Sequence, residues 1–193
     1  MRTRSAAILI FDDVEVLDFA GPFEVFNVAN IISNGNAFNV HTAAENENEV
    51  IARNGLKIIP DYSLQNCPQP DILIVPGGEG RKTEMYNPVV IDWVKKKSEK
   101  AEYVLSVCTG AFIIGKAGLL KGMKATTHHL SYDEFEKTFP DTELVKGVKY
   151  TDNGKVIAAA GISAGINMSL YTVDKILGED SGRRTAEHME YDY

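Results

Sequence analysis

The sequence predicts one α/β domain: a mostly parallel sheet covered by helices on both faces. Three observations carry this. Runs such as residues 6–11 and Ile72–Val75 are apolar throughout, without the alternation of a half-exposed strand, so both of their faces are buried. Segments with apolar residues at helical spacing stand between such runs. At 193 residues, 44% of them hydrophobic and 24% charged, the chain is long enough for one well-buried core. No internal repeat or low-complexity linker divides it, so the domain is expected to cover residues 1–193.

Residues 6–11 read as the first strand. The basic start Met1-Arg2-Thr3-Arg4 is not taken as a signal peptide, because the apolar run is short and meets Asp12-Asp13 with no small-residue cleavage site. Residues 22–32 carry Phe23, Phe26, Val28, Ala29 and Ile32 at helical spacing, and Gly21-Pro22 marks the expected helix start, since proline suits the first turn. Residues 38–43 form a second strand. Residues 50–59 read as a hairpin, because Asn54-Gly55 suits a tight primed turn. The strand Ile72–Val75 ends at Pro76-Gly77-Gly78. A helix over residues 89–100 and a strand over 103–107 follow. Lys95-Lys96-Lys97, the only dense basic cluster, falls in that helix and reads as a solvated face. A helix over 111–120 closes near Gly122. Residues 124–127 form a short strand, and an amphipathic helix over 132–139 stops at Pro140. Strands over 144–150 and 155–159 flank the turn Asp152-Asn153-Gly154. A helix over 164–177 ends at Gly178, and the polar tail from Ser181 forms a short helix with a loose end.

Composition excludes several classes. Lys+Arg 20 against Asp+Glu 27 gives a net charge of −7, which argues against a nucleic-acid partner. No run approaches the ~20 apolar residues of a membrane helix. Two cysteines cannot build a disulfide framework, so a cytoplasmic chain with reduced thiols is expected.

Sites in parallel sheets lie at the carboxyl ends of the strands. The strongest signal there is Ser106-Val107-Cys108-Thr109-Gly110, where a buried strand ends, a cysteine follows and a helix begins. A sharp strand-to-helix turn with small neighbours is the logic of a nucleophile elbow. A helix N-terminus also favours a thiolate. A buried structural cysteine is the plainer alternative. Cys67, in a proline-rich loop, has nothing activating beside it. Pro76-Gly77-Gly78-Glu79-Gly80 is either a tight β–α turn or a loop whose backbone N–H groups stabilise an anion; no P-loop or dinucleotide fingerprint is present. Asp18, among apolar residues before a helix, is either an N-terminal cap or a buried acid with a raised pKa that shares a proton with a thiolate. His128 and His129 on a strand would point to opposite faces, so they cannot share a metal, and no metal is expected. Thr126-Thr127-His128 again ends a strand, which leaves a pocket-lining histidine and an ordinary hydrogen-bonded one as the two options.

In order along the chain, Leu17-Asp18-x-x-Gly21-Pro22-x-Glu24-Val25-Phe26, Pro76-Gly77-Gly78, Ser106-Val107-Cys108-Thr109-Gly110-Ala111, Gly118-Leu119-Leu120, Ala125-Thr126-Thr127-His128, Gly161-Ile162-Ser163-Ala164-Gly165-Ile166 and Glu190-Tyr191-Asp192 resemble the PfpI/ThiJ-type superfamily, and its isonitrile hydratase branch most closely. That branch also resembles the N-terminal domains of some AraC-type regulators. The resemblance implies a flavodoxin-like sandwich, a homodimer and no cofactor. It implies Cys108 as nucleophile, Asp18 as acid/base and Thr109 following the cysteine. Gly77, Gly78, Gly110, His128 and Ile162 become the candidates for binding substrate and stabilising charge, with the N–H groups of Gly78 and Thr109 foremost. The implied substrate is a small molecule, an isonitrile converted to an N-substituted formamide.

Two departures narrow the field. PfpI-type proteases carry histidine directly after the cysteine, where this chain has Thr109, which speaks against a Cys-His peptidase. His129 stands where the branch often has tryptophan, which changes the pocket wall. The rivals are a non-catalytic thiol-based stress sensor, a glyoxalase or deglycase of the same superfamily, and the ligand-binding module of a regulator. No DNA-binding helix-turn-helix follows Tyr193 in this sequence, which counts against the last.

Overall fold

The computed structural model describes residues 2–33 and 35–193. The apolar runs become the strands of one seven-stranded sheet. Its members are β1 (Arg4–Leu9), β2 (Phe38–Ala44), β5 (Tyr62–Ser63), β6 (Ile72–Val75), β7 (Tyr103–Ser106), β10 (Tyr150–Asp152) and β11 (Val156–Ala159), in the order β10-β11-β7-β6-β1-β2-β5. Every neighbouring pair is parallel except β10–β11. Burial on both faces explains the missing alternation: Ile8, Leu9, Ile72, Leu73, Ile74, Val104 and Leu105 are fully buried. The remaining strands form two small outlying pairs, the antiparallel β3 (Val50–Ile51) with β4 (Lys57–Ile58), and the parallel β8 (Lys124–Ala125) with β9 (Glu143–Leu144). The helices are α1 (Val16–Ile32), α2 (Arg81–Glu84), α3 (Pro88–Lys100), α4 (Gly110–Lys116), α5 (Tyr132–Thr138), α6 (Ala164–Leu177) and α7 (Ser181–His188).

The sheet order places the site. The chain runs from β1 outward to β2 and β5, then returns to β6 on the other side of β1, so a switch point lies between β1 and β6. The four adjacent strands β11, β7, β6 and β1 all point their carboxyl ends the same way, and the loops that leave them meet there.

Several expected elements differ. α1 begins at Val16, six residues before Pro22, which lies inside the helix. Proline removes the N–H that would bond to the Asp18 carbonyl and its ring crowds that carbonyl, and the packing of α1 on α6 and α7 outweighs the cost. The hairpin is present, but its loop is longer than a two-residue turn. Ala52 N–H donates to the Leu56 carbonyl at 2.8 Å, and Asn54 and Gly55 both take left-handed φ, 64° and 89°. α4 stops at Lys116, ahead of Gly118 (φ 81°). The strand expected over 144–150 is interrupted by Gly147 at φ 76°, and its two ends join different sheets. In the basic cluster, Lys95 and Lys96 are exposed, but Lys97 is half-buried, donating to the Cys67 carbonyl at 2.6 Å.

Candidate active site

Cys108 follows β7 with φ at 57°, a left-handed conformation that costs a non-glycine residue roughly 1–3 kcal/mol. The surroundings hold it there. Its N–H donates to the carbonyls of Ala159 and Ala160 at 3.2 and 2.9 Å, and its carbonyl accepts from the Thr127 hydroxyl at 2.8 Å. Gly110 lets α4 begin tight against the end of β6, since a Cβ there would lie 2.1 Å from the Val75 carbonyl oxygen. This is the sharp turn the small flanking residues predict.

Asp18 reaches the same point from the opposite side of the switch point. It is the third residue of α1, fully buried, and its side chain caps nothing. Its Oδ2 instead accepts from the Gly77 N–H at 2.9 Å, tying the first turn of α1 to the loop after β6. Its Oδ1 is buried and accepts no well-formed hydrogen bond. The Cys108 thiol is its neighbour and interacts with the carboxylate, at a geometry looser than a full hydrogen bond. Burial pushes the Asp18 carboxyl up to about 7, against the Gly77 hydrogen bond, and the nearby charge of Glu15 adds to the rise.

The expected thiolate is not the resting form. The thiol is 6% exposed, and burial, with the Asp18 charge second, pushes its pKa up to about 12. The N–H groups of Ile162 and Thr109 donate toward the sulfur and pull the other way without prevailing. The helix N-terminus supplies those donors, but desolvation beside a carboxylate outweighs them. Above pH ~7 the resting pair is a thiol beside a carboxylate, and below it the carboxyl takes up its proton as well.

The glycine loop also differs from expectation. The Gly77 N–H is committed to Asp18, and the Gly78 N–H donates to Thr109 Oγ1 at 3.1 Å. Neither is free to stabilise substrate charge. A Cβ on Gly77 would lie 2.4 Å from Thr109 Oγ1, so the residue is small because the two loops touch. The donors that face the sulfur come from Thr109 and from Ile162, which follows β11 at φ 46°.

A cavity of about 300 Å³ opens over the sulfur. Gly78, Cys108, Thr109, His128 and Ile162 line it, as do Leu130 and Ser131. Asp18, Gly77 and Gly110 lie beneath it as supports. His128 lies beyond β8, which ends at Ala125, so strand alternation does not govern the histidine pair. The two rings lie side by side, centroids 4.5 Å apart and tilted by 31°, instead of pointing to opposite faces. Burial lowers the His128 pKa, helped by His129. Its Nδ1 accepts from the Leu130 N–H at 3.4 Å, leaving Nε2 as the protonated nitrogen of the neutral ring. Among the described residues no group of three His, Cys, Asp or Glu side chains could hold a metal ion.

Glu15, Arg53, Glu79 and Arg81 complete the lining, and sequence reasoning singled out none of them. Arg53 arrives from the β3–β4 hairpin, which no local pattern connects to the cysteine. Glu15 and Arg81 carry a weak signal, standing three residues from Asp18 and from Gly78. Cys67 lies away from the site, buried beside His41 Nε2 at 3.7 Å, and burial raises its pKa to about 11. A wider depression of about 760 Å³ along α3, lined by Leu64, Trp93 and Lys97 among others, contains none of the expected site residues.

A parallel α/β sheet with a cysteine elbow at its carboxyl edge and a buried acid against the thiol defines a class of cysteine-centred α/β proteins. The chain belongs to the DJ-1/PfpI family, whose model matches residues 4–175. It is 31% identical over 183 residues to an isonitrile hydratase from Pseudomonas putida, covering 95% of this chain and 76% of that one. It is 24% identical over 189 residues to the HTH-type transcriptional regulator GbdR of Pseudomonas aeruginosa, covering 98% of this chain but only 51% of the regulator. Among solved structures, a ThiJ/PfpI family protein from Pseudomonas syringae superimposes with a TM-score of 0.89 at 26% identity, covering 100% of this chain and 77% of that one. Drosophila melanogaster DJ-1beta shares the fold at a TM-score of 0.87 and 17% identity, over 100% of both chains.

Proposed function

We propose that the protein is a hydratase that adds water to a small isonitrile through covalent catalysis at Cys108. The observation that carries this is the buried pair of Cys108 and Asp18, held by the Gly77 N–H under a small cavity. The 31% identity to an isonitrile hydratase supports it.

A thiol with a raised pKa attacks only if its proton leaves as the new bond forms. Asp18, with a pKa of about 7, is matched to take it, since a base works best with its pKa near the operating pH. The sulfur bonds to the terminal carbon of the isonitrile, and Asp18 returns the proton to that same carbon. The product is a neutral thioimidate on Cys108. Water then adds to its carbon, the nitrogen takes up a proton, the carbon–sulfur bond breaks, and the N-substituted formamide leaves with the thiol regenerated. The N–H groups of Thr109 and Ile162 steady the sulfur through both steps. His128, neutral with Nε2–H presented, can donate to the substrate nitrogen as charge develops there.

The buried, un-ionised thiol also favours this reading over a redox sensor, whose susceptibility follows thiolate character and exposure. The test is formamide production from an alkyl isonitrile by the wild type, Cys108→Ala and Asp18→Asn. Activity in the wild type with loss in both variants is expected; turnover by Cys108→Ala would sink the mechanism.

A further inference from the structure

Two arginines line the cavity over Cys108, and each faces carboxylates of the chain. Arg81 is 3% exposed. It gives Nη1 to Glu134 Oε1 at 2.8 Å and Nη2 to Oε2 at 2.5 Å, a complete fork, while its guanidinium lies 4.1 Å over the Phe112 ring. Nη1 also lies 3.5 Å from Met85 Sδ. Through this pair Arg81 holds Glu134 below the usual carboxylate range. Arg53 stands 3.7 Å from Glu15 and 3.8 Å from Glu79.

An arginine in the wall of a nucleophile's pocket ordinarily reads a substrate carboxylate or phosphate through its two-pronged fork. Here the chain fills that fork itself, from α5. What remains facing a ligand is the Glu15–Arg53–Glu79 cluster, the neutral His128 ring, the apolar surfaces of Ile162 and of Leu130, which is 81% exposed, and the negative charge of Asp18 beneath the sulfur. An anion entering this cavity would meet the Glu15 and Glu79 carboxylates on either side of Arg53, and the buried carboxylate of Asp18 beneath.

We propose that Glu134 is a specificity-determining residue. By occupying the Arg81 fork it closes the site to anionic substrates and confines it to uncharged molecules with a small apolar body. The reactive group of the substrate rests on the proposed hydratase reading, but the charge rule does not.

The test therefore uses probes that need no isonitrile chemistry. Iodoacetamide and iodoacetate are nearly equal in size, and both alkylate a thiol with loss of iodide; only the second carries a charge. Their rates at Cys108 are read by mass spectrometry of the peptide that contains it, for the wild type, Glu134→Gln and Arg81→Met, with near-ultraviolet circular dichroism as the check on folding. In the wild type, the iodoacetate-to-iodoacetamide ratio is expected to fall below that of a free small thiol. Glu134→Gln, which frees the Arg81 charge, should raise the ratio roughly tenfold, the low end of what electrostatic focusing gives. Arg81→Met, which leaves Glu134 unmatched, should lower it. An equal ratio in Glu134→Gln and the wild type overturns the proposal, and so does a wild-type ratio at or above that of the free thiol. Loss of isonitrile turnover with the charge rule intact would instead count against the hydratase reading alone.

Discussion

Replacing Asp18 with asparagine changes the pH dependence of stability in a direction fixed by its burial. The carboxyl is fully buried, and its pKa rises from 3.8 to about 7, so solvent screening does not soften the shift. At 1.36 kcal/mol per unit, ionising Asp18 in the folded protein costs about 4 kcal/mol more than ionising it in the unfolded chain. Between pH 3.8 and about 7 the folded state holds a proton that the unfolded state has released. Stability therefore falls as pH rises through that window, and above it the whole cost is present. Asparagine removes the charge but keeps an oxygen to accept from the Gly77 N–H. Asp18→Asn is thus expected to match the wild type near pH 4 and to exceed it at pH 8 by up to about 4 kcal/mol. Urea unfolding followed by the fluorescence of the only tryptophan, Trp93, reports this directly. Parallel pH profiles for the two proteins would refute the assignment of a raised, burial-driven pKa to Asp18. A more stable protein that has lost activity would be the signature of a strained catalytic acid.

Four further outcomes follow from the same geometry. With Asp18 as the base, kcat/KM for an isonitrile should rise with pH through an apparent pKa near 7, because the protonated acid cannot take the thiol proton; a flat pH–rate profile over pH 5–9 would contradict this. Gly77→Ala should lose about 1–3 kcal/mol in denaturant unfolding, since the added Cβ meets Thr109 Oγ1 at 2.4 Å and the Thr109 nitrogen at 2.5 Å. Thr109→Val should cost about 1–3 kcal/mol by the same measurement, because it strands the Gly78 N–H without an acceptor. Cys67→Ala should leave the alkylation rate at Cys108 unchanged, as burial pushes the Cys67 thiol up to about 11 and it lies outside the cavity.

The parts of the fold legible in the sequence are those set by local pattern. Ile72–Val75 and Ala164–Leu177 have the expected limits, because an unbroken apolar run and a helical repeat closed by Gly178 depend on few distant partners. The start of α1 was not legible: Pro22 reads as a first-turn residue, while the packing of Val16–Gly21 is a tertiary effect. The cysteine elbow was legible, since its small neighbours are a local steric demand. The state of the thiol was not. A helix N-terminus is visible in the sequence, whereas desolvation by surrounding strands and the approach of Asp18 from 90 positions away are visible only in the fold. The same holds for the glycine loop, whose N–H groups are spent on Asp18 and Thr109, and for Arg81, whose partner Glu134 lies on another helix.

In the proposed reaction Cys108 is the nucleophile and bonds to an uncharged isonitrile, with Asp18 as its proton carrier. Intact-mass spectrometry of protein quenched in acid during turnover of an alkyl isonitrile measures this bond. A mass gain equal to that of the isonitrile, localised to Cys108 and missing from Cys108→Ala, is the expected result. Formamide production by the wild type with no such adduct, or an adduct that persists in Cys108→Ala, would contradict it.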